Sequence, residues 1–116
     1  IIDEIPILAV AASVAKGRTI IRDVKELKYK ESNRLYTISK ELRRMGAQIE
    51  TLEDGMIIEG VASLKGTHVY SYGDHRIAMA LSIAALVANG ETRIDNYECV
   101  SISYPNFFNT LRKIYR

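Results

Sequence analysis

Two short stretches of this sequence combine cations with a carboxylate. Residues 29–34 read YKESNR, and residues 72–80 read YGDHRIAMA. Guanidinium and ammonium groups bind phosphates and carboxylates, and a carboxylate held among cations could move protons. The residue types therefore predict a site for an anion, with Glu31 as a candidate proton carrier.

Both stretches lie at the start of a predicted helix. Lys30 and Arg34 bracket one start, while His75 and Arg76 occupy the first turn of another, directly after Asp74 as candidate N-cap. A cation in the first turn opposes the helix dipole and costs about 0.3–1 kcal/mol. Binding of an anion by the helix N–H groups and these side chains would offset that cost.

The same residues also have ordinary structural interpretations. Lys30 and Arg34 could belong to a solvated loop with a weak surface ion pair to Glu31. Asp74 could be a cap followed by two exposed basic residues. Asp3 could be a plain acid at a helix start.

Three helices must position these residues. The first is an apolar helix from Glu4 to Ala15, and the third runs from Gly73 and Asp74 to about Ala88. The second, from about Ser32 to Met45, has apolar residues in steps of three and four. The charged residues are expected mostly on its other faces: Arg34, Lys40, Glu41, Arg43 and Arg44. Its apolar positions are Leu35, Ile38, Leu42 and Met45.

Strands are predicted between the helices. Residues 47–59 read as a hairpin whose turn, Glu53-Asp54-Gly55, has a glycine to supply a positive φ. The other expected elements are strands at Arg18 to Val24, residues 67–72 and Arg93 to Tyr97, and a final helix from Asn106 to Tyr115.

A shift of 73 residues places AKGRTIIRD on ANGETRIDN, with Gly17 on Gly90. The register continues into the following helix, where Leu35 falls on Phe108 and Ile38 on Leu111. We therefore predict repeated α/β units at about 1–46 and 74–116, joined by a β-rich segment at 47–73.

Composition excludes several classes of function. The 116 residues are 47% hydrophobic with a formal charge of +2, which favours a globular protein and argues against a nucleic-acid or membrane surface. The single cysteine, Cys99, fits a reducing, cytoplasmic setting, and His68 and His75 show no metal spacing. Because the sequence lacks a start methionine, we expect a piece of a longer protein.

Six segments in order resemble the C-terminal part of the 5-enolpyruvylshikimate-3-phosphate (EPSP) synthases, over essentially the whole sequence. They read DEIPILAVAA, AKGRTIIRD, KYKESNR, ELRRMGA, YGDHRIAMA and YPNFF. The resemblance implies an α/β (α+β) fold: two domains, each an inside-out α/β barrel of three similar units with helices inside and sheets outside. This sequence would form part of one domain.

The resemblance also implies a reaction. The family transfers the enolpyruvyl group of phosphoenolpyruvate to the 5-hydroxyl of shikimate 3-phosphate and releases phosphate, in the shikimate pathway to aromatic amino acids. The reaction is an addition followed by an elimination, and no metal or organic cofactor is implied. The missing N-terminal domain supplies most contacts to shikimate 3-phosphate, so this sequence alone is expected to be inactive.

Three residues match the family's catalytic positions. Asp3 would contact the attacking hydroxyl as general base, and Glu31 would give and take the proton at the methylene carbon. Lys30 would lie with the substrate oxygens. Asp3 and Lys30 thus also count as substrate-binding residues.

Three more residues match binding positions. Arg34 and Arg76 would clamp the carboxylate and phosphate of phosphoenolpyruvate, and His75 would line the same pocket. The sequence departs from the family at Asn33, where many members have Asp. It departs again at Lys28, where many have Arg, and at Ile102, where some carry a substrate-binding lysine.

Two other functions stay open. The sister enzyme that uses UDP-N-acetylglucosamine as acceptor has the same architecture and donor, but is expected to lack these two motifs in this form. Alternatively, the piece alone is a non-catalytic, anion-binding fragment.

Overall fold

The computed structural model describes residues 4–30 and 33–95. Within these ranges the helices are α1 (Ile5–Val14), a 3-10 helix (Lys25–Tyr29), α2 (Arg34–Arg44) and α3 (His75–Val87). The strands are β1 (Arg18–Ile21), β2 (Gln48–Thr51), β3 (Met56–Glu59), β4 (Leu64–Lys65), β5 (His68–Tyr70), β6 (Ala88–Asn89) and β7 (Arg93–Asp95).

Helix α2 forms where the apolar spacing predicts it. Asn33 caps its start, since the side-chain oxygen accepts a hydrogen bond from the Tyr36 N–H at 3.1 Å. The chain leaves the helix through Gly46, whose φ of +95° is a conformation that glycine adopts without steric cost. The apolar stripe is fully buried and consists of Leu35, Ile38, Leu42 and Met45.

Helices α1 and α3 are apolar on most faces and pack against each other and against α2. Their serine side chains are satisfied within the helix: Ser13 Oγ donates to the Ala9 carbonyl at 2.7 Å, and Ser82 Oγ to the Ala78 carbonyl at 2.8 Å. A helix with so little polar surface is expected in a protein interior. Both predicted helices are confirmed.

An antiparallel sheet in the order β1-β3-β2 packs against α1 and α2. Its inner face is formed by buried side chains of β2 and β3, among them Ile49, Met56 and Ile58. The predicted hairpin is confirmed, with Thr51 opposite Met56. The sheet thus covers one side of the three-helix core.

The expectation for Gly55 was wrong in one respect. Gly55 does not have a positive φ. A Cβ atom there would lie 1.9 Å from the Ile21 carbonyl oxygen, so a side chain cannot fit between the hairpin and the end of β1. The position requires glycine because of this close approach rather than because of its turn conformation.

Two parallel strand pairs, β4 with β6 and β5 with β7, join residues 64–70 to residues 88–95. The strands predicted near residues 67–72 and 93–97 correspond to β5 and β7, with Val69 opposite Ile94. The pairing is reinforced by His68 Nε2 and Asp95 Oδ2, which lie 2.7 Å apart. The chain turns into α3 directly after β5. The pairing places this carboxyl end of β5 beside Asp95.

The predicted repeat is only partly covered by the described residues. Helix α1 is followed by β1, and α3 by β6 and β7. The final helix at Asn106 to Tyr115 lies outside the described residues, so the repeated units stay a prediction. Among the described residues, no helix has the length and apolar character needed to cross a membrane, and no group of three metal-ligating side chains occurs.

Candidate active site

The two cationic helix starts meet in the structure. Arg34 Nε, at the first residue of α2, donates a hydrogen bond to Asp74 Oδ2 at a distance of 2.8 Å. The pair is buried, with side-chain exposures of 4% and 0%. An ion pair between residues 40 positions apart therefore joins the two motifs in one place.

The pair can exist in the interior because its members also have other partners. The second oxygen of Asp74, Oδ1, accepts the Arg76 N–H at 3.0 Å. A buried ion pair is stable only where further hydrogen bonds replace the lost water. Asp74 thus compensates the positive charge at the start of α2 while it caps α3.

The start of α3 is built by a tight turn. The Asp74 N–H donates to the Ser71 carbonyl at 3.0 Å, and φ is positive at both central residues, +57° at Tyr72 and +72° at Gly73. The predicted Asp74 cap is confirmed. His75 and Arg76 follow it, each half-buried.

The structure describes only some of the other predicted site residues. Lys30 is exposed and lies directly after the 3-10 helix, four residues before Arg34. Asp3 and Glu31 lie outside the described residues. The structure thus brings together Arg34 and the first turn of α3.

The surface interpretation of Arg34 is wrong, because its side chain is buried. Asp74 is likewise a fully buried cap rather than a solvated one. His75 and Arg76 are not fully exposed. The two helix starts thus meet through a buried contact between Arg34 and Asp74.

Sequence reasoning missed Glu41, which is completely buried although it was placed on a polar face of α2. Its Oε1 accepts the Tyr70 N–H at 2.9 Å. Its Oε2 accepts the Tyr72 hydroxyl at 3.1 Å and Arg44 Nε at 3.3 Å. These contacts tie α2 to the segment that leads into α3.

The spacing of residues along α2 already indicated that Arg34 and Glu41 are buried. Arg34 and Glu41 continue, in steps of three and four, the same stripe as Ile38 and Met45. Two charged residues of opposite sign on an apolar stripe indicate buried partners elsewhere in the chain.

The departures from the family pattern have simple structural roles where they can be seen. Asn33 accepts the capping hydrogen bond, as an aspartate would. Lys28 Nζ lies 3.2 Å from Glu53 Oε1, in an ion pair in which only the Glu53 side chain is exposed. Ile102 lies outside the described residues.

Comparison with known proteins agrees with the motifs. The family model for EPSP synthase (3-phosphoshikimate 1-carboxyvinyltransferase) matches residues 1–111. The enzyme of that name from Thermoanaerobacter pseudethanolicus is 62% identical over 110 residues, which are 95% of this chain and 26% of the relative. That from Alkaliphilus oremlandii is 56% identical over 114 residues, which are 98% of this chain and 27% of the relative.

Solved structures agree as well. An EPSP synthase from Acinetobacter baumannii superimposes with a TM-score of 0.88 at 38% identity, over 97% of this chain and 27% of that one. This confirms the predicted α/β class as part of a larger domain. The chain spans about a quarter of the length of the curated relatives it matches. By its sequence and its fold, this chain belongs to the EPSP synthase family.

Proposed function

We propose that this chain is part of an enzyme that transfers the enolpyruvyl group of phosphoenolpyruvate to the 5-hydroxyl of shikimate 3-phosphate, with release of phosphate. The observation that carries the proposal is the buried Arg34–Asp74 ion pair. It brings together the two motifs that, in combination, are specific to the family. Membership of the family supports the same reaction.

The basic side chains where the two helix starts meet would bind the donor, phosphoenolpyruvate. Phosphoenolpyruvate carries a carboxylate and a phosphate, and planar guanidinium groups suit both. We assign this binding to Arg34 and Arg76, with His75 beside them. Asp74 orients both arginines, because it pairs with the Arg34 side chain and accepts the Arg76 backbone N–H.

The chemical steps need a base and a proton carrier. As the 5-hydroxyl attacks C2 of phosphoenolpyruvate, Asp3 takes the hydroxyl proton and Glu31 gives a proton to C3. The tetrahedral intermediate then expels phosphate while C3 returns its proton to Glu31. Lys30 would stabilise the negative charge on the substrate oxygens during both steps.

The rest of the full-length protein is the proposed partner of this chain. Its other domain would supply most contacts to shikimate 3-phosphate, so we expect no turnover by the present sequence alone. We place the enzyme in the cytoplasm, in keeping with the single cysteine of the present sequence.

Acceptor specificity tests the proposal. The full-length protein is incubated with phosphoenolpyruvate and either shikimate 3-phosphate or UDP-N-acetylglucosamine, and phosphate release and product mass are measured. We expect turnover with shikimate 3-phosphate only, and none from residues 1–116 alone. Turnover with the nucleotide sugar would assign the sister activity instead, and turnover with neither would leave only anion binding.

A further inference from the structure

Helix α2 holds the start of α3 at two points. Arg34 and Glu41 are seven residues apart, which is two helical turns, so their side chains leave α2 on the same face. Arg34 binds Asp74, and Glu41 binds Tyr70 and Tyr72. Both charged side chains are buried, and both are engaged by residues 70–74.

Residues 70–74 have a conformation that needs such support. Tyr72 has a φ of +57°, which side-chain-bearing residues seldom adopt. A backbone of this kind persists only where its surroundings fix it. The Tyr72 hydroxyl donates to Glu41 Oε2, so the residue with the unfavourable φ is itself tied to α2.

The other side of the turn is attached to β7. The Ser71 N–H and Ser71 Oγ both donate to the Asp95 carbonyl, at 3.1 and 3.0 Å. The contacts with β7 on one side and with Glu41 on the other hold the turn that places Asp74 beside Arg34. Asp74 in turn fixes where the Arg76 backbone begins α3.

We infer that Glu41 is a positioning residue for the donor site: it holds residues 70–74 so that Asp74 reaches Arg34 and Arg76 faces the bound anion. The consequence for catalysis rests on the function proposed above, whereas the consequence for the backbone does not. Loss of Glu41 should therefore weaken binding of phosphoenolpyruvate more than binding of the acceptor.

An isosteric amide at position 41 cannot replace the carboxylate. The carboxylate accepts three hydrogen bonds, one at Oε1 and two at Oε2. An amide nitrogen placed at Oε1 would face the Tyr70 N–H, and placed at Oε2 it would face Arg44 Nε. Either orientation sets a donor against a donor, so Glu41→Gln removes at least one contact without changing the volume.

The kinetic test compares Glu41→Gln and Tyr72→Phe with Tyr36→Phe in the full-length protein. Tyr36 is a half-exposed tyrosine on the same helix and serves as control for loss of a hydroxyl. Tyr72 is 45% exposed, so Tyr72→Phe should fold even if Glu41→Gln does not. We expect KM for phosphoenolpyruvate to rise about fivefold in Tyr72→Phe and about twentyfold in Glu41→Gln, with KM for shikimate 3-phosphate within about twofold.

Amide hydrogen exchange tests the backbone part without any turnover. The Asp74 and Arg76 amides should exchange at least about fivefold faster in Tyr72→Phe than in Tyr36→Phe, while amides in the middle of α2 keep their rates. If the wild type turns over neither acceptor, the proposed function fails and the exchange rates still decide the role of Glu41.

Two results would overturn the inference. In the first, Tyr72→Phe and Glu41→Gln have the same exchange rates and KM values as Tyr36→Phe. The other is an equal rise of both KM values together with a lower thermal midpoint, which would show a general structural role rather than a positioning one.

Discussion

Replacing Asp74 with asparagine is expected to destabilise the protein by about 3 kcal/mol, because Arg34 would stay buried without its charged partner. Asparagine caps helices as well as aspartate does, so the cap of α3 should survive. The substitution therefore isolates the ion pair, whose side chains are 4% and 0% exposed. The substitution should also lower activity, since Asp74 orients the two arginines proposed to bind phosphoenolpyruvate.

Calorimetry of the full-length protein measures this effect. A loss of about 3 kcal/mol should lower the midpoint of the transition that includes this domain by roughly 6–12 °C. Asp23→Asn is the matched control, because Asp23 is exposed and its φ of +61° suits asparagine equally well. An Asp74→Asn midpoint as high as that of the control would show that the ion pair contributes nothing.

Replacing Glu31 with glutamine is expected to lower kcat by about 10²–10⁴-fold, the usual contribution of a positioned proton donor or acceptor. The proposed reaction adds a proton to C3 of phosphoenolpyruvate and later removes it. An amide can do neither. Because the side-chain volume is unchanged, the thermal midpoint and both KM values should stay close to those of the wild type.

Steady-state phosphate release and solvent deuterium exchange measure the Glu31→Gln effect together. The wild type should incorporate deuterium at C3, and the variant should incorporate almost none. Glu26→Gln is the control, since Glu26 is an exposed glutamate in the neighbouring 3-10 helix. A kcat within about tenfold of the control value would remove Glu31 from the proton transfer.

Local sequence features predict the helices well. The steps of three and four between Leu35 and Met45 fix α2, and the Asp74 cap fixes the start of α3. These signals depend on residues within one or two turns of each other. A single sequence contains that information directly.

Long-range pairing explains what the sequence does not reveal. The helical spacing places Arg34 and Glu41 on the buried stripe of α2, but it does not identify their partners Asp74, 40 positions away, and Tyr70, 29 positions away. Gly55 is similar, because the carbonyl that it accommodates belongs to β1. Such contacts arise only once the fold is assembled.

Two strands, β4 and β6, were not predicted, because they are too short to show a pattern. The strands β4 and β6 have two residues each and pair in parallel across more than twenty positions. Two residues cannot show an alternating pattern, so no periodicity marks them. The antiparallel hairpin of β2 and β3, in contrast, is local and was predicted.

The candidate site was predicted in part. The hypothesis that both cationic helix starts contribute to one anion site requires them to be neighbours, and the Arg34–Asp74 contact shows that they are. The roles of Asp3, Lys30, Glu31, Arg34, His75 and Arg76 toward the substrates stay predictions. They follow from resemblance to the family.

Binding of phosphoenolpyruvate by the full-length protein shows whether the joined helix starts form the donor site. Titration calorimetry compares the wild type with Arg76→Ala and with Arg22→Ala, an exposed arginine between β1 and the 3-10 helix. We predict a Kd about 10–100-fold higher for Arg76→Ala, from loss of charge-assisted hydrogen bonds, and an unchanged Kd for Arg22→Ala. Equal affinities of the two variants for phosphoenolpyruvate would show that Arg76 does not bind the donor.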